Sequence, residues 1–529
     1  MPRNKAISEI FSNILNDKSA IEIIANSNKN TRVTGISSDS RTAVAGEIFF
    51  CLEVNREKAI KYLYQALANN IEIIVTTREV AEYFITITSE KKLKEIVIVK
   101  AQDIENLLLD TLKYYYQPLP KNIYAVTGTN GKSSVVDLIR QMLNLIDIQS
   151  ASIGTIGVIV NEDKIEDSPL TTPDITSIYR TLFNLKSQNI DDVAIEVSSI
   201  GLTQNRIAGL NLSTAIFTNF TQDHLDYHKT MDQYFAAKMQ LFNKYSNKNT
   251  IAILNRDIEQ YQEIATICNK NQLSINSYGN NICQHELETN NIAIKILAIK
   301  QCQDYQEADI TINIAKEGAI NSKISTKIMG EFQIYNIVAA LIATLHNHPK
   351  KEAEIIDLIA KLSELKNIQG RMELVANYNL ASIYIDYAHS PDALLNSIDS
   401  ARKMQNSQKT TGRIIVLFGC GGNRDKEKRP LMGKIASKFA DLAIVTDDNP
   451  RNEDPKAIRT EIISGCNLNK TIEIPNRKEA IAKAIKMLEN NDLLIIAGKG
   501  HEQYQIIGTE RIDFNEEKIV KESIKILTK

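Results

Sequence analysis

The run Gly128-Thr-Asn-Gly-Lys-Ser133 combines the residue types that bind a nucleotide phosphate. It lies between the β-rich stretch Ile123–Val126 and apolar residues at helical spacing, which predicts a strand, a turn and a helix. Backbone N–H groups of such a turn face phosphate oxygens, Lys132 reaches the terminal phosphates, and Ser133 offers a hydroxyl to Mg²⁺. An ordinary glycine turn before a helix is the alternative. Val126 stands where the pattern GxxxxGK[ST] has its first glycine, which argues against common GTPases.

Two further features could serve a metal ion beside this loop. Glu196 follows a β-rich run and could place a carboxylate near the phosphates, where a hard cation prefers oxygen ligands. The segment Asn219–His228 contains two histidines and two aspartates within six residues, although such a cluster can also be a polar turn. Four of the seven histidines of the chain lie in motifs that carry the argument, namely His224, His228, His389 and His501.

Composition limits the classes of protein that the chain can be. Its 529 residues suggest about three domains, and 43% hydrophobic with 24% charged residues is typical of a globular protein. A formal charge of -2 lacks the basic excess of a nucleic-acid binder, so we expect no nucleic-acid partner. The six cysteines show no paired spacing, which favours free thiols in a reducing cytosol.

The N-terminal stretch of residues 1–24 has the pattern of an amphipathic helix with charges throughout, unlike a signal peptide. No apolar stretch approaches ~18 residues, so no membrane insertion is expected. These features predict a soluble cytoplasmic protein.

Three segments follow from breaks in the pattern. Residues 1–118 alternate short apolar runs with helical stretches and end at the prolines of Gln117–Pro120. Residues 119–368 alternate strands and helices, which predicts a parallel sheet, and residues 369–529 form a third α/β block. Several strands of this last block end in polar or glycine clusters, where open parallel sheets bind ligands. Predicted strands are Glu47–Leu52, Ile71–Val75, Asp192–Val197, Thr214–Thr218, Thr250–Leu254, Ser382–Asp386, Arg413–Phe418, Leu442–Thr446 and Asp492–Ala497.

The motifs together resemble those of the Mur ligases, over nearly the whole chain. The resemblance implies an α/β fold with three domains: an N-terminal UDP-binding domain, a central phosphate-loop ATPase-like domain with a parallel sheet, and a C-terminal Rossmann-like domain that receives the amino acid. It is carried by seven ordered motifs: Thr127–Ser134, Glu196–Ser199, Asp223–His228 with Ala236–Lys238, Asp386–Asp392, Phe418–Asp425, Asp448–Arg451 and Gly498–Glu502.

The resemblance also implies ligands and their residues. ATP and Mg²⁺ are the expected co-substrate and metal, and the chain is expected to be a monomer that acts on small molecules. ATP is expected at Gly128, Thr129, Asn130, Gly131, Lys132, Ser133, Ser134, Asn255, Asn336, Arg371 and Asp386. The UDP-muramoyl-dipeptide is expected at Ser38, Ser40, Asn55, Arg56, Thr171, Thr172, Ser198, Gln204 and Arg206.

Lys238 is similar in position to a family lysine that carries CO₂ as a carbamate, which turns a cation into an anionic metal ligand. Taken alone, the run Ala236-Ala-Lys238 would be interpreted as part of the exposed surface of a helix. The resemblance implies Lys132, Glu196, His224 and Lys238 as catalytic residues, and Ser133, Glu196, His224 and carbamylated Lys238 as metal ligands.

The implied activity is ATP-dependent addition of meso-2,6-diaminopimelate to UDP-N-acetylmuramoyl-L-alanyl-D-glutamate in peptidoglycan precursor synthesis. Without the resemblance, Arg451 would read as a solvated loop arginine. Alternatives are addition of L-lysine, a ligase like folylpolyglutamate synthase, and a non-catalytic nucleotide-binding module. The amino acid is expected at Arg424, Asp448, Asn449, Pro450, Arg451, Gly498 and Glu502.

Overall fold

Residues 5–14, 21–25, 31–168, 170–284, 286, 290–302, 305–315 and 318–528 are described by the computed structural model of the chain. They divide into two units. The first comprises 1–121, 173–193 and 204–211, and the second comprises 122–172, 194–203 and 212–529. The boundaries at 118 and 368 stay predictions.

The first unit contains a five-stranded sheet whose inner strands pair in parallel. Apolar side chains of these strands and of the helix Arg56–Ala68, such as Phe49, Leu63 and Ile98, form its core. The strand order is Ile21–Ala25, Val97–Ala101, Ile73–Thr77, Glu47–Phe50 and Gly35–Ser37, and Lys5–Ala6 pairs with Arg32–Val33. The helices are Ile7–Ile14, Arg56–Ala68, Arg78–Ile87, Glu90–Leu93, Ile104–Tyr115 and Ile175–Ser187.

The predicted N-terminal helix is only partly correct. Ile7–Ile14 is helical, with Ile7, Ile10 and Phe11 buried. Ile21–Ala25 instead pairs as an antiparallel edge strand with Val97–Ala101. Its Ile-Glu-Ile-Ile run is short and β-branched, and sheet pairing overrides a helical pattern in such a run. Residues 1–4 and 15–20 lie outside the described residues.

The larger sheet of the second unit has eleven strands, and those around the phosphate loop run in parallel. Their side chains pack against the helices Lys132–Leu145 and Glu331–Asn347. The strand order is Asp163–Glu166, Gly157–Val160, Ser150–Gly154, Asp192–Glu196, Asn122–Thr127, Thr214–Phe217, Ile251–Asn255, Ser274–Gly279, Ile292–Gln301, Gln306–Ile314 and Gly318–Thr326. The helices are Lys132–Leu145, Ser199–Thr203, Leu225–His228, Met231–Asn243, Tyr261–Lys270, Glu331–Asn347 and Glu352–Lys361, followed by the 3₁₀ turn Leu362–Glu364.

Both edges of this sheet depart from the predicted parallel arrangement. At one edge Ser150–Gly154, Gly157–Val160 and Asp163–Glu166 pair in antiparallel order, and at the other edge Ile292–Gln301, Gln306–Ile314 and Gly318–Thr326 do the same. Their connections are too short for a crossover helix, so consecutive strands turn back on each other.

A six-stranded sheet forms the C-terminal part of the second unit, parallel except for its first pair. A hairpin, Tyr504–Ile507 with Glu510–Asp513, follows its last central strand. The strand order is Glu373–Tyr378, Ala381–Asp386, Leu493–Ala497, Ile414–Phe418, Leu442–Val445 and Thr471–Glu473. The helices are Pro391–Gln408, Lys428–Phe439, Pro455–Ile463, Arg477–Lys486 and Glu516–Leu527, and Leu468–Lys470 is a 3₁₀ turn.

The predicted strands in all three segments are confirmed to within a few residues. Within the described part of the chain, no helix is both long enough and apolar enough to span a bilayer.

Candidate active site

The predicted phosphate loop connects the strand Asn122–Thr127 to the helix Lys132–Leu145. Gly128 and Gly131 have φ angles of 147° and 85°. A Cβ at Gly128 would lie 1.9 Å from Thr218 Oγ1, and one at Gly131 would lie 2.6 Å from Asn336 Oδ1. Both positions therefore require glycine, which explains the spacing of the motif.

Neighbouring residues fix the loop backbone from the next strand end. The amide of Thr129 donates to Asn219 O at 2.9 Å, and the amide of Asn130 donates to Asn219 Oδ1 at 2.8 Å. Thr218 Oγ1 donates to Asn130 O at 2.6 Å, and Asn130 Nδ2 donates to Asp392 Oδ2 at 3.1 Å. These contacts anchor the loop backbone to the neighbouring segments.

Lys132 and Lys238 converge on the same carbonyl oxygen of the loop. Their Nζ atoms donate to Gly128 O at 2.9 and 2.8 Å, and Lys132 also donates to Thr129 O at 2.9 Å. Burial lowers the pKa of Lys132, while the charges of Glu196 and Asp223 oppose this. Burial and the charge of Lys132 lower the pKa of Lys238 well below its ordinary value. Two amine groups therefore lie at the loop, and an amine is a suitable partner for an anionic group.

Glu196 ends the strand next to the loop and is buried. Its carboxylate accepts from the backbone N–H of Thr155 at 2.8 Å and from Thr155 Oγ1 at 3.2 Å. A Cβ at Gly154 would lie 2.2 Å from Glu196 Oε1, so glycine leaves the space for this carboxylate.

Asp223 connects the predicted histidine cluster to the C-terminal part of the second unit. Its Oδ2 lies 3.6 Å from Nε2 of both His224 and His389, and Lys428 Nζ donates to its Oδ1 at 3.3 Å. Burial alone would raise the pKa of Asp223, but the charge of Lys428 and the neighbouring imidazoles of His224 and His389 hold it well below its usual range. Burial lowers the pKa of His224 to about 3, against the charge of Asp223, so its imidazole is neutral at pH 7.

The remaining predicted ATP residues surround the loop at different depths. Arg371 donates to Ser133 Oγ at 2.8 Å and lies 4.4 Å over the ring of Tyr387. Asn255 Nδ2 donates to Thr218 O at 3.0 Å. Buried Asp386 accepts from the backbone amides of Met372 and Ala388. Both side chains therefore bind to backbone groups of neighbouring segments. Asn336 lies against Gly131, and Ser134 is buried in the first turn of the helix.

The donor atoms near the loop fit a hard cation. Glu196 offers a carboxylate, Ser133 a hydroxyl and His224 a neutral imidazole, while Mg²⁺ usually completes its shell with substrate phosphates and water. The amine of Lys238 becomes an acceptor only as a carbamate. In the described ranges, no three His, Cys, Asp or Glu residues form a group that could hold a metal ion.

Two arginines that are predicted to bind the amino acid, Arg424 and Arg451, both have side-chain atoms near Gly421. A Cβ at Gly421 would lie 2.7 Å from Arg451 Nη1 and 3.6 Å from Arg424 Cγ. Arg451 donates to Gly422 O at 3.0 Å, and burial and the charge of Arg424 lower its pKa. The positive charges of the two arginines interact, which favours an anion near them.

The other residues that are predicted to bind the amino acid lie close to one another. Asn449 Nδ2 donates to Glu502 Oε2 at 2.8 Å. Asp448 is buried, and a Cβ at Gly498 would lie 2.7 Å from its Oδ2. Among the described residues, Asp448 Oδ2 is a buried oxygen without a hydrogen-bond donor. Pro450 precedes Arg451, whose φ of 52° turns the chain sharply.

The residues predicted to bind the UDP-linked substrate belong to both units. In the first unit, Ser40 Oγ donates to Gln65 Oε1 at 2.8 Å, the side chain of Asn55 caps the helix Arg56–Ala68, and Arg56 pairs with Glu79. Also in that unit, Ser38 is half-buried, and Arg206 donates to Gln204 Oε1. In the second unit, Thr172 Oγ1 donates to Glu196 O, Ser198 donates its amide to Thr172 Oγ1, and Thr171 Oγ1 accepts from Thr155.

Several site residues were missed by the sequence reasoning. Asp223, His389 and Asp392 lie inside the motifs Asp223–His228 and Asp386–Asp392. Their polar side chains could be identified from the sequence, but the residues that they contact could not. Lys428 meets Asp223 across 205 residues, a separation at which spacing carries no signal. Lys499 lies between two glycines of the motif Gly498–Glu502, and this position is the signal that could have identified it.

The chain belongs to the Mur ligase family. Residues 126–344 match the Mur ligase middle domain, and residues 370–500 match the Mur ligase glutamate ligase domain. Curated relatives extend the similarity to 94% of the chain and have a more specific name.

The relatives named UDP-N-acetylmuramoyl-L-alanyl-D-glutamate--2,6-diaminopimelate ligase include proteins of two Rickettsia species. The protein of Rickettsia montanensis is 38% identical over 94% of this chain and 96% of its own length. That of Rickettsia bellii is 39% identical over 93% of this chain and 96% of its own. A solved structure with the same name is 26% identical, with a TM-score of 0.62 and full coverage of both chains.

Proposed function

We propose that the chain is an ATP-dependent amide ligase that adds meso-2,6-diaminopimelate to UDP-N-acetylmuramoyl-L-alanyl-D-glutamate, forming ADP and phosphate. Similarity to relatives of that name over 94% of the chain carries the proposal. The lysines on Gly128 O and the arginines over Gly421 support it, because they suit phosphates and a carboxylate. The reaction would belong to cytoplasmic synthesis of a cell-wall precursor.

Joining a carboxylate to an amine is unfavourable until the carboxylate carries a leaving group. The γ-phosphoryl group of ATP would move to the D-glutamyl carboxylate, giving an acyl phosphate and ADP. The amine of the amino acid would then attack the acyl carbon, the C–O bond to phosphate would break, and the amine would lose a proton. No protein nucleophile is required, so the site acts by positioning and charge stabilisation.

Lys132 and the loop amides would hold the phosphates of ATP. Lys132 Nζ is bonded to two loop carbonyls, and uncharged acceptors of this kind exchange readily for phosphate oxygens. Arg371, held on Ser133 and Tyr387, would add a second cation at the same end of the helix.

Ser133 and Glu196 would hold one Mg²⁺, and His224 with carbamylated Lys238 a second; bound Mg²⁺ supplies charge neutralisation at the phosphates. The lowered pKa of Lys238 supports its modification, since only an uncharged amine attacks CO₂. The nitrogen of the neutral amine would attack the carbon of CO₂, an N–C bond would form as one C–O π bond breaks, a proton would leave the nitrogen, and an anionic carbamate would replace the neutral amine.

Arg424 and Arg451 would bind the distal carboxylate of diaminopimelate between their guanidinium groups. Asn449, the Gly498 carbonyl and Glu502 would hold the adjacent ammonium. L-Lysine lacks this carboxylate and would leave two neighbouring cations without a counter-ion, and a site built for a polar group rejects the analogue lacking it by ~10⁴-fold or more.

A coupled phosphate-release assay tests the proposal. Phosphate release should require ATP, the UDP-linked dipeptide and meso-diaminopimelate together. A chain active only on a folate substrate would support the synthase alternative, and ATP hydrolysis independent of any amine would support a nucleotide-binding module. Omission of each substrate in turn is the control.

A further inference from the structure

Lys499 is a fully buried lysine that the proposed reaction does not use. Its exposed fraction is 0%, and it lies between Gly498 and Gly500, whose φ angles are 114° and 54°. A Cβ at Gly500 would lie 2.8 Å from Tyr387 Cβ, so the turn is closely packed on both sides of the lysine. A buried ammonium is costly unless it is paired, which makes its contacts informative.

Those contacts are with two residues of the proposed amino-acid site. Lys499 Nζ donates to Asn449 Oδ1 at 3.0 Å and to Glu502 Oε2 at 3.1 Å, and lies 5.6 Å from the ring centre of Tyr504. Asn449 Oδ1 also accepts from the amide of Ile506 at 2.9 Å. The amide group of Asn449 is therefore oriented with its Nδ2 toward Glu502, and Lys499 fixes both side chains.

Lys499 also compensates the charge of Glu502. The two side chains form an ion pair at 3.1 Å, and the side chains of Arg424 and Arg451 add positive charge near Gly421. An amino acid that brings both an ammonium and a carboxylate to this end adds no net charge, whereas one that brings only an ammonium adds a positive charge beside a carboxylate that is already paired.

We infer that Lys499 is a specificity-determining positioning residue: it neutralises and orients Glu502, so that the site rejects an amino acid whose distal end is only cationic. The inference rests on the proposed function. Lys499 acts through its hydrogen bonds to Asn449 and Glu502.

Lys499→Met, which keeps the length of the side chain and removes the charge, tests this inference in the full-length enzyme. We expect the ratio of kcat/KM for meso-diaminopimelate to that for L-lysine to fall tenfold to about a hundredfold, the effect of losing a hydrogen bond to a charged group. The KM for diaminopimelate should rise and kcat/KM for lysine should stay equal or rise, whereas KM for ATP should not change. General structural damage would lower the use of both amino acids.

Lys499→Arg should keep the selectivity, and Lys434→Met, on the exposed face of the helix Lys428–Phe439, is the matched control. Should Lys499→Met fail to fold, the double variant Lys499→Met/Glu502→Gln removes both charges. Its selectivity should lie close to that of Glu502→Gln alone, because the ion pair with Glu502 carries most of the effect of Lys499.

An unchanged ratio in Lys499→Met, equal losses for both amino acids, or additive effects in the double variant would overturn the inference. A wild-type enzyme without preference for diaminopimelate would instead overturn the proposed function.

Discussion

The phosphate loop and the proposed amino-acid site both contain a lysine whose amine is hydrogen-bonded within the protein, but the partners of the two amines differ. Lys132 donates to Gly128 O and Thr129 O, two carbonyl oxygens without charge. Lys499 donates to the carboxylate of Glu502 and to Asn449 Oδ1. A ligand can replace the neutral partners of Lys132, whereas the charge of Lys499 is already compensated by Glu502 within the protein.

The difference predicts different responses to mutation. A cation that awaits a ligand costs folding free energy and contributes to turnover. A cation paired within the protein orients its neighbours and contributes to selectivity. The phosphate loop therefore depends on ligands to complete it, while the amino-acid site is largely preorganised.

Lys238→Ala should have the largest effect and reduce turnover nearly to background while the fold stays intact. The variant loses the amine that would carry the carbamate, and added short carboxylates such as acetate should partly restore phosphate release. Lys270→Ala, at the exposed end of the helix Tyr261–Lys270, is the control. Full activity of Lys238→Ala without added carboxylate would contradict the carbamate role.

Lys132→Met should lower kcat by ~10²–10³-fold, the usual cost of removing one group that stabilises transition-state charge. Its melting temperature should not fall, because burial lowers the pKa of Lys132 and the charged amine is held at a cost. Steady-state kinetics and thermal unfolding of the same preparation check both. A large drop in melting temperature would mean that Lys132 supports the fold and that the contrast between the two regions is wrong.

Arg451→Ala should lower kcat/KM for meso-diaminopimelate about a hundredfold, the cost of a charge-assisted hydrogen-bonded pair. The weak use of L-lysine should change much less, since lysine has no distal carboxylate for the arginine to bind. Kinetics with both amino acids measure the difference, and equal losses for both would assign Arg451 a structural role.

Ser40→Ala extends the comparison to the first unit and should have the smallest effect. If Ser40 contacts the UDP-linked substrate, KM for that substrate should rise about threefold to tenfold with little change in kcat, as for lost uniform binding. Ser187→Ala, an exposed serine on the helix Ile175–Ser187, is the control. An unchanged KM would mean that the uridine contacts lie elsewhere.

Local sequence signals predicted much of this arrangement. The phosphate loop followed from glycine spacing between a strand and a helix, and the positive φ angles of Gly128 and Gly131 supply the physical reason. The strand cores followed from apolar runs. The resemblance to Mur ligases supplied the candidate residues of the amino-acid site, such as Arg451, which the pattern alone would have left as a surface arginine.

Contacts between residues far apart in the sequence could not be predicted from local patterns. The contact of Lys428 with Asp223 and the burial of Lys499 depend on how distant segments pack, and single residue types do not encode their partners. Ile21–Ala25 joined a sheet because a neighbouring strand was available there. The antiparallel strands at both edges of the large sheet depend on short connections. The predicted alternation of strands and helices did not indicate these connections.

The most direct test of the central claim is a competition experiment. The wild-type chain is given ATP, the UDP-linked dipeptide and equal concentrations of meso-diaminopimelate and L-lysine, and the products are separated and identified by mass. Because the arginines over Gly421 and the charge set by Lys499 both select for the second carboxylate, the diaminopimelate product should exceed the lysine product by ~10⁴-fold. Comparable amounts of the two products would contradict the account.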